Sequence, residues 1–400
     1  MNSFLQSLLG AVAHGAVPLP WWGYVAIAAG TVHVTVIGVT LYYHRDQAHR
    51  ALDLHPALRQ FFRFWVWATT AMVLHEWVAI HRKHHAHVER EGDPHSPQLL
   101  GIGTMLLDGA NVYKRATWDR ESIDAFRHGT PNDWLERRLY DRFPHLGVVT
   151  LLVVETLLFG AAGVAIWAVQ MLNMPVLASA MINGMGHYGG YRNFDVPDAS
   201  TNVMPIAFLA GGEELHNNHH AFPSSARFSV RRFEFDVGWL YIRVLSALRL
   251  AKIRRVYPRP AFTRRASRID LDAVRAVVTN RLHVLRAYRR QVVMPVLREE
   301  LARDGEARHF RRLRHLLLRD ARFLDHDSLA LRERMIERCP HLATVWQYRE
   351  RLRAIWEERA ASNERVLERL RTWCRDAEQS GIEGLAEFAS QLRTWRAQSA

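Results

Sequence analysis

Cysteine is nearly missing from this 400-residue chain: there are two, Cys339 and Cys374. No disulfide framework can rest on that pair, and no Cys-x-x-Cys or Fe–S cysteine spacing occurs, so thiolate-ligated metal sites are excluded. A haem-binding domain and a Gly-rich dinucleotide loop are also lacking. Any redox chemistry in this chain must therefore take its electrons from a separate protein. Lys and Arg are absent from residues 1–20, so the charged n-region of a cleavable signal peptide is missing and none is expected.

What charge there is lies at one end. Residues 1–250 carry 20 Lys and Arg against 20 Asp and Glu, whereas residues 251–400 carry 33 against 20, so the whole +13 excess sits in the last 150 residues. One lysine, Lys252, and 32 arginines supply it. A basic region beside an apolar one suggests anionic lipid headgroups or a nucleic acid as partner, and such a surface could also dock an acidic electron carrier. No nucleic-acid-binding module accompanies it, so no nucleic-acid partner is expected. This shift sets the domain expectation: 1–253 as a membrane domain and 254–400 as a soluble or membrane-peripheral, Arg-rich helical extension. Breaks in the extension are expected at Asp304-Gly305, Cys339-Pro340 and Ser380-Gly381.

Long apolar runs are present in the first part. Trp22–Tyr43 has no Asp, Glu, Lys or Arg and carries aromatics at both ends, as membrane interfaces favour. Phe61–Ile80 is apolar but interrupted by Arg63, His75 and Glu76. Val148–Val169 predicts a second span, with Pro175–His187 returning after a break at Gln170–Met174. Phe4–Val17 is short for a span. Ala86–Leu146 reads as polar and irregular.

Histidine is abundant, at 22 residues, and grouped. His44 and His49 form an H-x4-H pair. His81, His84 and His85 form H-x2-H-H, and His216, His219 and His220 repeat it. Positions i, i+3 and i+4 share a helix face, so each triplet aims its imidazoles one way. The H-x4-H pair does not share a face of an ideal α-helix and is expected at a helix end. Eight clustered imidazoles exceed the needs of one metal, and the lack of cysteine points to redox-active non-haem iron rather than zinc.

These motifs and their flanks resemble the integral-membrane fatty acid desaturases over about residues 20–250, especially the acyl-CoA Δ9 (stearoyl-CoA desaturase-like) branch. His44-Arg45, Glu76-Trp77 leading into His81–His85, Asp93-Pro94-His95-Ser96, and Asn183 through His187 into Gly190-Tyr191-Arg192 carry the likeness. The stretch Gly211–His220 is closest to bacterial members. The resemblance implies that His187 is a ninth histidine ligand and that Asn183 binds metal through a water. It also implies two iron ions, O2 and a saturated acyl chain (acyl-CoA or phospholipid) as reactants. A cis double bond, at Δ9, would be the product, with electrons from a ferredoxin-like or rubredoxin-like carrier or a reductase. The competing readings are a lipid hydroxylase or ketolase on the same scaffold, and a non-enzymatic His-rich membrane metal binder.

Convergence of the clusters constrains topology. All must reach one membrane face, so Phe61–Ile80, lying between two of them, cannot cross once. It either lies along the interface or enters and returns. True crossings then number three, or four with Phe4–Val17. The Arg-rich extension places that face in the cytoplasm. The expectation is an all-α integral-membrane bundle of the bacterial inner membrane, with a cytoplasmic His-rich di-iron cap and an Arg-rich helical extension. Asp46, Glu76, Glu213 and Glu214 are candidate carboxylates for orienting the imidazoles.

Overall fold

The computed structural model describes residues 13–263, 266, 268–303, 307–357 and 362–396. These residues are mostly helical, and their few strands pair two by two. The chain forms two compact units. One comprises Met1–Tyr191 and Ser200–Tyr257; the other comprises Arg192–Ala199 and Pro258–Ala400.

In the first unit, α1 runs over Trp21–Ala48. It is α-helical to Gly38 and then winds as a π-helix over Val39–Ala48. Helix α2, Pro56–Thr70, begins with proline in its first turn, where the missing N–H costs nothing. Helix α3, Leu74–His87, follows. Between them Ala71 takes a left-handed conformation, φ 59°. Phe61–Ile80 is therefore two helices with a break, not one rod. Arg63 is buried on α2 yet paired, donating to Asp133 (2.7 and 2.8 Å) and to Glu136. A β-strand at Leu52–Leu54, between α1 and α2, pairs antiparallel with Ala251–Ile253, close to the C-terminal end of this unit.

Three sequence readings need correction here. Ala86–Leu146 is not simply irregular: α4, Ile102–Ala116, lies within it and buries Met105, Gly109 and Val112. Gly109 approaches the Ser179 side chain so closely that a Cβ would stand 2.7 Å from the serine Cβ. Val148–Val169 is not one span. It divides at Gly160, φ 62°, into α5, Leu146–Phe159, and the start of α6, Ala161–His187. Gly163 permits the sharp return, since a Cβ there would overlap the Glu155 carbonyl. The apolar composition runs smoothly through this turn, so hydropathy alone misplaces it at Gln170–Met174, where α6 in fact continues by π-winding through Pro175.

Two helices, Trp21–Ala48 and Ala161–His187, are long and apolar enough to cross a membrane. Large apolar side chains stand exposed on α5 and α6, including Val149, Val153, Leu157, Val169 and Leu172. Phe4–Val17 falls largely outside the described residues; at its end Ala16 and Val17 donate to the carbonyls of Leu157 and Leu158 at 2.9 and 2.8 Å.

The second unit has its own core. Tyr288, Trp373, Phe388 and Trp395 are almost fully buried together with Leu342, Leu352 and Leu370. Tyr288 donates to the Val345 carbonyl at 2.6 Å and Trp373 Nε1 to that of Tyr348 at 2.9 Å, so these two buried aromatics keep their polar atoms satisfied. Helix boundaries fall at Cys339-Pro340 and Ser380-Gly381; Asp304-Gly305 lies outside the described residues. Both cysteines are buried, and burial pushes the Cys374 thiol up to about 12, which disfavours its reactive thiolate.

Candidate metal centre

The nine histidines singled out from the sequence converge in two groups. His44, His49, His81, His85 and His219 form the first; His84, His187, His216 and His220 form the second. Within each group the facing nitrogens lie within 4.8 Å of one another.

Helix geometry explains the sorting. On α3, His81 and His85 are an i, i+4 pair and enter the first group, while His84, one turn from His81 on the other side of the shared face, enters the second. On α7, His216–Ala221, the i, i+4 pair His216 and His220 enters the second group and His219 the first. The triplets thus do not aim at one point, as spacing suggested; each divides between two centres, because i+3 and i+4 diverge by a full residue's rotation about the axis. The H-x4-H pair works differently. The π-winding at the end of α1 bonds i to i+5, and His49 N–H donates to the His44 carbonyl at 3.0 Å. Positions 44 and 49 then fall on one face, with ring centroids 4.8 Å apart. A helix end is present there, directly after Ala48, but the altered pitch is what aligns the rings.

The outward nitrogens of three rings are held by carboxylates. His44 Nδ1–H donates to Glu213 at 2.7 Å, His84 Nδ1–H to Asp93 at 2.9 Å, and His187 Nδ1–H to Glu89 at 2.9 Å. Each carboxylate can only accept, so the proton sits on Nδ1 and the inner Nε2 is left as a bare lone pair. Inside the groups, lone pairs face nitrogens: His49 to His81 at 2.8 Å, His44 to His219 at 3.1 Å, His187 to His216 at 2.9 Å and His216 to His220 at 3.1 Å. The buried His84 Nε2 has no hydrogen-bond partner among the described residues. Two imidazoles can share one proton, but five and four rings meeting in this way cannot all do so. A cation at each centre would satisfy them. Burial, followed by repulsion from neighbouring rings, holds His81, His85, His216, His219 and His220 well below their ordinary pKa, which keeps them in the neutral, ligating form.

Of the carboxylates expected to orient the rings, only Glu213 does so. Asp46 instead binds Arg59 and the Leu54 N–H, Glu76 binds Arg120, and Glu214 accepts from the N–H groups of Ala210 and Gly212. Glu89 and Asp93 were missed. Asp93 follows the end of α3 in the Gly92-Asp93-Pro94 turn, which folds it back on the helix, so turn reading could have found it; Glu89 lies 98 residues from its partner and leaves no local signal. Among the histidines outside the two groups, His95 is buried and stacked on His84 with centroids 4.4 Å apart. His55 caps α2, and His75 lies 3.5 Å from Glu136.

Asn183 lies outside both groups and lines an adjoining cavity with His44, His81 and His216. The rest of that lining is mainly apolar, including Val36, Val39, Ile80, Leu177 and Ile182. An apolar chamber ending at the two imidazole groups is suited to a hydrocarbon chain.

Residues 18–234 match the family model for fatty acid desaturases. The chain belongs to the fatty acid desaturase family. It is 32% identical over 225 residues to a probable chloroplastic lipid desaturase of Arabidopsis thaliana, covering 55% of this chain and 60% of that protein. It is 33% identical over 223 residues to the icosanoyl-CoA 5-desaturase of Limnanthes douglasii, covering 54% and 60%. It is 28% identical over 236 residues to the sn-1 stearoyl-lipid 9-desaturase of Anabaena variabilis, covering 58% and 83%. The chain thus spans about three fifths of the length of the first two of these desaturases. Residues 271–399 match a different model, that of a transposase. That match covers about a third of the chain, all of it in the Arg-rich extension.

Arg45, next to the first ligand candidate, locks this desaturase scaffold. It is fully buried, pairs with Asp236 at 3.0 Å, donates to the carbonyls of Ala226 and Gly211 at 2.8 and 3.2 Å, and lies 3.8 Å over Phe228. Gly212, φ 106°, must be glycine: a Cβ would stand 2.3 Å from the Asp236 carboxylate. Arg45→Ala would strand Asp236 as a buried charge. It is expected to destabilise the protein by about 3–5 kcal/mol, read as a lowered melting temperature in detergent.

Proposed function

We propose that this protein is a membrane-bound, O2-dependent acyl desaturase that places a cis double bond at Δ9 of a saturated chain. The observation carrying this reading is the apolar cavity that ends against two converging imidazole groups. The ligands would be His44, His49, His81, His85 and His219 for one iron, and His84, His187, His216 and His220 for the other, with Asn183 acting through a water. Bound iron would supply the O2 activation needed to break unactivated C–H bonds, which side chains cannot do alone. The chain's own residues hold the hydrocarbon in the cavity, position one carbon pair and keep bulk water out. Glu213, Asp93 and Glu89 fix the imidazole tautomers.

The relatives are named for acyl-lipid and acyl-CoA substrates and for positions 9 and 5, so carrier and position are the finer parts of this proposal. The apolar exteriors of α5 and α6 fit a bilayer, and the Arg-rich extension fits the cytoplasmic side of a bacterial inner membrane. Electrons would arrive from a separate donor. Expression in a host lacking unsaturated fatty acids, with double-bond mapping of its lipids, tests the reading. New cis-Δ9 chains are the expected result; hydroxylated or ketonic lipid without new double bonds would remove the desaturase reading in favour of an oxygenase.

A second reading concerns the extension alone. Its positive charge and its transposase-like match favour DNA as a ligand, contrary to the expectation from sequence. A salt-dependent mobility shift of duplex DNA by the full chain, lost when residues 258–400 are removed, would support it.

A further inference from the structure

The second unit contains eight residues from the middle of the desaturase sequence, Arg192–Ala199. They form the tip of a loop lying between His187 and His216. Its stem belongs to the first unit and is closed by a pair of backbone hydrogen bonds, Tyr191 N–H to Asn202 O at 3.0 Å and Asn202 N–H to Tyr191 O at 2.7 Å. One strand of the stem reaches the second imidazole group directly. Thr201 N–H donates to the carbonyl of Gly186, the neighbour of His187, at 2.6 Å. The Asn202 side chain bonds Asn218, inside the His216–His220 motif, twice at 3.2 Å.

The tip is held by the extension. Asp195 is buried between Arg289, which donates to it, and Arg349 at 3.5 Å. Arg289 also donates to the Asn193 carbonyl at 3.3 Å, and Arg322 to that of Pro197 at 2.6 Å. Phe194, with no exposed surface, meets the His283 ring edge-on at 5.2 Å and lies 5.6 Å from the Arg286 guanidinium. The segment has no helix or strand; within it Arg192 donates to the Val196 and Asp198 carbonyls at 2.8 and 2.6 Å, and the arginines and His283 of the extension supply the contacts that hold Phe194 and Asp195.

We infer that the Arg-rich extension is a brace for the second metal centre: it captures the loop tip at Phe194 and Asp195, and so holds the stem that positions His187 and the His216–His220 motif. Asp195 is then a positioning residue, not a ligand. The inference rests on the two-iron reading above. It also explains why a basic extension absent from the desaturase match is built around a piece of the desaturase sequence.

The test uses the full chain in detergent, loaded anaerobically with Fe(II), counting iron per chain and following its extraction by a ferrous chelator. In Asp195→Asn and in Phe194→Ala, one of two irons is expected to leave about tenfold faster than in wild type while the other keeps its rate, the size typical of losing an outer support of a metal site. Asp195→Glu should restore slow release. Wild-type release of both irons in both variants would overturn the brace, and so would faster release of both together, which marks general loss of fold. A wild-type chain that retains fewer than two irons would instead overturn the two-iron reading itself, and the brace with it.

Discussion

Replacing His84 by alanine is expected to abolish new double bonds and to lower bound iron to about half. His84 is the only member of its triplet in the second group; its Nδ1 is fixed by Asp93 and its buried Nε2 has no hydrogen-bond partner among the described residues. Removing it takes away one of four imidazoles there and leaves the first group with all five. A centre short of one ligand and its carboxylate support loses affinity by more than an outer partner alone would cost, which is about 10–100-fold. His87→Ala, one turn further along α3 and facing Phe126 at 6.3 Å, is the matched control and should keep wild-type product. Lipid analysis after expression in a host unable to make unsaturated fatty acids, with iron counted on the purified protein, reads both effects. Undiminished desaturation by His84→Ala would overturn the assignment of the second centre.

Glu89→Gln is expected to weaken iron retention at the second centre by about 10–100-fold, with desaturation falling alongside. Glu89 and His187 are both fully buried and 2.9 Å apart. The carboxylate fixes the imidazole proton on Nδ1 and raises the basicity of Nε2. A neutral amide can still accept that hydrogen bond but gives none of the charge. Glu76→Gln is the contrasting change. Its carboxylate pairs with Arg120, itself about two-thirds exposed, and an exposed pair is worth only about 0–1 kcal/mol. Glu76→Gln should therefore leave iron retention and product unchanged. Equal effects of the two substitutions would show that proximity to a histidine motif, not contact with its ring, governs the site.

The contrast between these two glutamates marks how far sequence reasoning reached. Glu76 stands beside a histidine motif in the chain and contacts none of its rings; Glu89 stands beside His85 and serves His187 instead. Residue spacing reports direction along one element, and it works where the element is regular. It found the six imidazoles of the two triplets because i, i+3 and i+4 recur on any α-helix, and the H-x4-H grouping added His44 and His49. It did not foresee that these two share a face, because local π-winding changes the period, and it misplaced the turn at Gly160 because a tight turn between two apolar helices leaves hydropathy unbroken. His187 and Asn183 were reached by resemblance, since a single histidine after an apolar helix has no pattern of its own.

By itself, then, the sequence determined the chemistry available: clustered histidine with only two cysteines, apolar helices and a basic extension. Composition and short-range periodicity carry that information, and neither depends on the path of the chain. Only the tertiary structure decided which imidazoles share a centre, which carboxylates set their tautomers and where the apolar hairpin turns. It also decided that residues 192–199 belong with the extension. Those outcomes depend on which surfaces meet across tens to hundreds of residues, and such meetings are chosen by the burial of whole elements rather than by any local run of side chains.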